Sequence, residues 1–174
     1  MTEDRRLKIS RRLSFTAALF AAATLQATRN ANAQTPTALG TIERKDPAFD
    51  RLIAPNARME KVAEGFDWSE GPVWDYAGRR LLFSDVPMNV VHQWTKDKGV
   101  GVFLKPSGYT GTVPRDGEPG SNGLTFDLQG RLVLCQHGDR RIARLKPEGG
   151  FETLFDRFEG KRFNSPNDGV FKSN

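Results

Sequence analysis

From about residue 70 onward, short apolar runs alternate with clusters of turn-forming residues. Residues 71–74, 80–84, 90–95 and 100–104 read as four strands, each shorter than an ordinary helix and bounded by Gly, Pro, Asp or Asn. Asp75-Tyr76-Ala77-Gly78 and Lys96-Asp97-Lys98-Gly99 supply the turns, because Asp bonds its own backbone two residues on and Gly accepts a left-handed conformation. Residues 123–126, 131–136, 140–146 and 150–155 repeat the plan, with turns at Gly138-Asp139 and Glu148-Gly149-Gly150. Helical patterns of about ten residues or more, which parallel crossovers need, do not appear, so the strands are predicted to run as antiparallel meanders. Residues 58–63 alternate modestly and add one more predicted strand.

The two sets are copies of one unit. Ser69-Glu70-Gly71-Pro72-Val73-Trp74-Asp75 returns as Ser121-Asn122-Gly123-Leu124-Thr125-Phe126-Asp127, and again as Pro166-Asn167-Asp168-Gly169-Val170-Phe171-Lys172. The polar openers Glu70, Asn122 and Asn167 stand 52 and 45 residues apart. Repeats of this length with strand-like content are the signature of β-propeller blades. The predicted class is therefore all-β, with residues 58–174 forming a closing strand, two blades and the start of a third, about two and a third blades. Propellers close roughly four to eight blades around a channel, so the chain is expected to be a fragment of a polypeptide about twice as long. A ring assembled from several chains is the alternative.

Charge adds an export signal and removes nucleic acid. The formal charge is +5, but residues 1–33 hold six Lys/Arg against two acids. The remaining 141 residues carry 20 basic and 19 acidic groups, so no basic face is predicted. Residues 1–33 read as a signal peptide: a basic head ending Arg11-Arg12, an apolar Ala-rich segment too short to span a bilayer, and Ala31-Asn32-Ala33 before the cleavage point. The paired arginines leave general secretion and twin-arginine export both open, with a periplasmic or secreted product and no membrane partner after cleavage. Residues 34–57, with Pro36, Pro47 and Pro55, form a polar lead-in. One cysteine, Cys135, rules out a disulfide within the chain and is expected to pack as a small buried hydrophobe.

Inner strands line a propeller's channel, so matching repeat positions converge. Glu70, Asn122 and Asn167 would then place a carboxylate and two amide oxygens on one ring, which suits Ca²⁺ or a similar hard cation. One Cys and two separated His, His92 and His137, are too few for a soft-metal site. Asn before Gly is also a common turn signal; Glu before Gly-Pro is not, and the shared register favours a site. The long loop 106–121 is placed on the same face as the openers, bordering the site. His137 follows a strand next to the channel and could orient a substrate, whereas His92 is expected to be satisfied or exposed. Trp68, Trp74 and Trp94 are expected to pack between blades.

The three opener motifs, with Asn164-Ser165-Pro166-Asn167-Asp168-Gly169 and Cys135-Gln136-His137-Gly138 before Arg140-Arg141-Ile142, resemble the regucalcin/gluconolactonase family. The resemblance covers roughly residues 58–174 and implies a six-bladed propeller acting as a metal-dependent lactonase. It implies a divalent cation, Ca²⁺ first and Zn²⁺ or Mg²⁺ as alternatives, held by Glu70 and Asn167. It implies a substrate or metal contact at Asn167 and a channel position for Asn122; with His137, placed there by its strand, these are the expected substrate contacts. The family's remaining metal ligands and its general-base Asp would lie beyond residue 174, so the fragment alone is expected to be inactive. Ser165 stands where some members carry a substrate-binding Arg. The implied partner is a small lactone; the oligomeric state stays open. A non-catalytic ligand-binding propeller and a related metal-dependent esterase are the competing readings.

Overall fold

The structure, a computed structural model, describes residues 39–172. The predicted signal segment 1–33 lies outside the described residues.

Strands β1 (Ser69–Asp75), β2 (Arg80–Asp85), β3 (Val90–Thr95) and β4 (Gly99–Leu104) form one antiparallel sheet in sequence order. Strands β5 (Ser121–Phe126), β6 (Leu132–Gln136), β7 (Arg141–Leu145) and β8 (Phe151–Phe155) form a second sheet of the same plan. A short hairpin follows, pairing β9 (Arg157–Phe158) with β10 (Lys161–Arg162). No α-helix occurs among the described residues; a single 3₁₀ turn, Pro47–Arg51, precedes the strands and is capped by the Asp46 carboxylate.

Each sheet begins with the same turn device. Asp75 ends β1, accepts the Gly78 N–H at 2.9 Å and receives Arg80 Nε at 2.8 Å. Asp127 follows β5, accepts the Gln129 and Arg131 N–H groups and receives Arg131 Nε at 2.7 Å. The carboxylate thereby satisfies turn N–H groups that no strand would pair. Burial alone would raise both carboxyls; these hydrogen bonds and the neighbouring guanidinium outweigh it and hold Asp75 and Asp127 below the usual aspartate range. Arg144 Nε also lies 3.0 Å from Asp127 Oδ2, an ion pair whose N–H is not aimed at the oxygen.

The two sheets stack on a shared core. Paired residues share a face of a sheet, so the pairing of Val73 with Leu82 and of Leu124 with Leu134 decides which side chains meet. Leu82 and Val91 of the first sheet meet Leu124, Leu132 and Leu134 of the second, with Phe103, Leu104, Phe126 and Phe151 packed around them. A fully buried Leu contributes about 1.5–3 kcal/mol over its exposed state, so five such aliphatics account for much of the adhesion. Strand β5 lies against both β1 and β2, and the seam carries a polar tie. Ser121 Oγ and Ser84 Oγ are 2.8 Å apart, and Ser84 Oγ donates to the Asn122 carbonyl at 2.9 Å, all within the buried interior.

Three expectations are corrected, and one unforeseen hairpin appears. Residues 58–63 form no strand; Glu60 makes an isolated bridge, the Met59 carbonyl accepts the Leu39 N–H at 3.4 Å, and most of the segment is exposed. Residues 166–172 form no strand either: among the described residues they have no pairing strand, and one backbone bond holds them to β5. The hairpin β9–β10 was not foreseen, because its strands are two residues each. Trp68 and Trp74 do not pack between sheets; they are 49% and 41% exposed, Trp74 on the same face of the first sheet as the 60%-exposed Val102.

Candidate functional site

The openers are brought together through their backbones. A register shift between Glu70 and Val73 marks a bulge in β1, and Gly71 sits there at φ +54°, a conformation side-chain-bearing residues rarely adopt. A Cβ on Gly71 would fall on the Asn122 carbonyl oxygen. The relation repeats one unit later: the Gly123 N–H donates to the Asn167 carbonyl at 2.7 Å, and a Cβ on Gly123 would lie 2.6 Å from Asp168 Oδ1. A second register shift falls between Ser121 and Leu124. Each glycine thus lets the next opener approach, placing Glu70–Gly71, Asn122–Gly123 and Asn167–Asp168 side by side in one row.

Their side chains differ in setting. Glu70 is half-buried, and its Oε1 accepts the Trp68 indole N–H at 3.1 Å. Asn122 is 5% exposed and its Nδ2 lies 3.0 Å from His137 Nδ1. Asn167 is exposed, with its backbone carbonyl already engaged by Gly123. Ser165, at φ +62°, donates from Oγ to the His137 carbonyl at 3.4 Å, fixing the segment leading to Asn167 against the end of β6.

The loop after β4 borders this row and is firmly anchored. Asn89 holds its start: Oδ1 accepts the Ser107 and Gly108 N–H groups at 3.0 and 2.7 Å, and Nδ2 donates to the Tyr109 carbonyl. Buried Gln136 donates to the Ser107 carbonyl, and Asp139 accepts from Thr110 through both backbone and hydroxyl. The loop ends by setting Glu118 Oε2 3.4 Å from His137 Nδ1. Glu118 was missed in the sequence because it lies in an irregular segment; the only signal was its place four residues before Asn122.

Cys135 lies directly beneath the third motif, its sulfur 3.7 Å from where a Cβ on Gly169 would stand. Burial, with the Asp168 charge nearby, pushes its thiol up to about 11, so it is an inert packing residue as expected. His92 is neither satisfied nor exposed. It lies between Phe66 and Phe83, with Nε2 3.9 Å from Asp85 and Nδ1 buried without a partner.

Glu70, Asn122 and Asn167 offer hard oxygen donors of the kind Ca²⁺ accepts, but a six- to eight-oxygen shell needs more than this row supplies. No cluster of three or more His, Cys, Asp or Glu occurs among the described residues. The donors therefore fit a hard cation in kind and form only part of its shell. A groove of about 900 Å³ lies at the far end of the first sheet, between Trp74, Arg80, Trp94 and Lys98, away from the openers.

Repeated four-stranded antiparallel meanders, joined so that the first strands lie side by side and polar residues open each one, define an all-β repeat protein whose candidate site is at the strand entrances. The chain belongs to the SMP-30/gluconolactonase/LRE-like family, whose model matches residues 68–174. It is 39% identical over 160 residues to a gluconolactonase of Zymomonas mobilis, covering 89% of this chain and 45% of that protein. The solved structure of a gluconolactonase from Xanthomonas campestris superposes with a TM-score of 0.63 at 34% identity, over 76% of this chain and 41% of that one. A second X-ray structure, of a candidate gluconolactonase, gives 0.61 at 36% identity, over 74% of this chain and 41% of that one. The chain spans less than half the length of each of these proteins.

Proposed function

We propose that this chain forms part of a secreted or periplasmic sugar-lactone hydrolase, built as a six-bladed β-propeller to which it contributes two blades and the approach to a third. The observation that carries this reading is the row of openers, each admitted by a glycine of the preceding repeat, with one carboxylate at its head. The similarity to gluconolactonases supports the reaction class, and the charge pattern of residues 1–33 supports export.

Glu70 and Asn167 would hold a divalent cation, Ca²⁺ in the first place, with further ligands from outside this sequence. Such a cation, when bound, supplies Lewis-acid polarisation of a lactone carbonyl. The residues on the page do the rest of the positioning. Trp68 fixes one oxygen of Glu70 and leaves the other free for a ligand. Asn122 and His137 face the same row and offer hydrogen-bonding groups to the hydroxyls of a sugar-derived ring. The base that takes the proton from the attacking water is an Asp outside these residues.

Two measurements test this. Replacing Glu70 by Gln in a lactone-hydrolysing form of the protein lowers cation affinity and turnover together, read by calorimetric titration and by acid release from glucono-1,5-lactone. Unchanged turnover would make Glu70 a purely structural residue. The 174-residue chain alone hydrolyses no glucono-1,5-lactone above the spontaneous rate in a pH-stat; measurable catalysis would contradict the incomplete-ring reading.

A further inference from the structure

His137 Nδ1 has two neighbours with different demands. Asn122 Nδ2 lies 3.0 Å away at hydrogen-bonding geometry, and the Glu118 carboxylate 3.4 Å away at ion-pair distance. A carboxylate can only accept a hydrogen bond, whereas an Asn amide donates or accepts after a half-turn of its terminal group. The carboxylate is therefore the partner that decides. With Glu118 in place, a proton on Nδ1 is attracted to one acceptor and meets a second once Asn122 turns its oxygen inward. A lone pair on Nδ1 would instead face a negative charge.

Nothing else competes for Glu118. Among the described residues His137 is its only side-chain partner within ion-pair range. Arg115 is committed to the Gly138 carbonyl, Arg140 to the Phe163 carbonyl, and Arg141 to Gln136 and Asp139. The outward atoms are also available: neither the second amide atom of Asn122 nor His137 Nε2 is a sealed, unpartnered group.

We propose that Glu118 is a positioning residue of this site. Its carboxylate fixes Nδ1 of His137 as a donor, holds the Asn122 oxygen toward the ring, and leaves the Asn122 NH₂ and the Nε2 lone pair as the groups a ligand meets. Asn122 then serves the site as a hydrogen-bond donor to a substrate oxygen, and Nε2 as an acceptor for a substrate hydroxyl. Asn122 does not ligate the cation, because its oxygen is turned away. The functional consequence rests on the lactonase reading; the ring's proton placement does not.

The test is the tautomer of the neutral ring, read from ¹⁵N–¹H correlations of the histidine side chains at alkaline pH, with His137→Gln used to assign the signals. The wild-type chain shows the Nδ1–H form. Glu118→Gln, isosteric and uncharged, moves it to a mixture or to Nε2–H. Asn122→Asp, which keeps an acceptor facing Nδ1, retains Nδ1–H, and serves if Glu118→Gln fails to fold. A wild-type Nε2–H ring, or a tautomer indifferent to Glu118→Gln, overturns the proposal. In a lactone-hydrolysing form of the protein, Glu118→Gln raises KM for glucono-1,5-lactone about tenfold with kcat within about twofold, the size of one weakened hydrogen bond. A matching fall in Ca²⁺ affinity overturns the assignment of Asn122 as donor. Absence of lactone hydrolysis in a longer, ring-completing form of the protein defeats the proposed activity and leaves the tautomer result standing.

Discussion

Gly123 shows how much one missing side chain can decide. Its hydrogen atom faces the Asn167 carbonyl and Asp168, and a methyl group there would meet, besides the Asp168 carboxylate, the Asn167 O and Asp168 Cα backbone atoms at 2.8 and 2.9 Å. Gly123→Ala is expected to cost ~1–3 kcal/mol by overpacking, read from urea melts, and to loosen the third motif with little effect on the sheets. Asp75 and Asp127 make a pH prediction. Their folded pKa values lie below the unfolded one, so each contributes stability above about pH 4 that is lost as the pH falls through the folded value. The urea midpoint should hold level from about pH 7 to 5 and drop below about 4. Asp127→Asn should flatten that drop; an unchanged acid profile would show that other carboxylates govern it. Cys135, with its thiol held up at about 11, should resist iodoacetamide at mildly alkaline pH until denaturant is added.

At the level of elements, the strands were legible because turn residues punctuate them and the unit repeats. Every predicted strand of the two sheets appears, shifted by at most two residues at an end; β1 and β5 begin earlier, since Ser69 and Glu70 in the first and Ser121 in the second pair with the following strand. What failed was strand assignment from modest alternation alone, at 58–63, where no strand lies alongside among the described residues. Glu70, Asn122 and Asn167 could be singled out because a repeat converts sequence spacing into spatial neighbourhood. Glu118 could not, because loop geometry depends on contacts such as those of Asn89 that no periodicity reveals. Asn89 itself adopts φ +55° at the β2–β3 turn and satisfies several loop N–H groups at once. Asn89→Ala is expected to speed amide exchange of residues 107–109 at least about tenfold by removing those acceptors, while β6 and β7 keep their protection.

The molecule as a whole has one finished seam and open flanks. The finished seam is the stack of the two sheets, with aliphatic side chains outside and the Ser84–Ser121 hydroxyl pair within. The open flank of the first sheet shows Trp74, Val100 and Val102 to solvent; Phe155 is open on the second sheet. Exposed apolar area on this scale marks a surface made to be covered. The purified chain should therefore bind a hydrophobic dye and self-associate with rising concentration in analytical ultracentrifugation. A dye-silent, monodisperse monomer would show those faces to be tolerated in water.

Gly71 and Gly123 set the spacing of the row with main chain alone. Because the neighbouring peptide groups, and not the opener side chains, make the close approach, the identity of those side chains is largely free of the demands of assembly. A carboxylate can be exchanged for an amide at an entrance without moving the strands behind it. The architecture is thus a socket whose fittings can be swapped, which is the condition under which one scaffold acquires new reactions by changing a handful of positions.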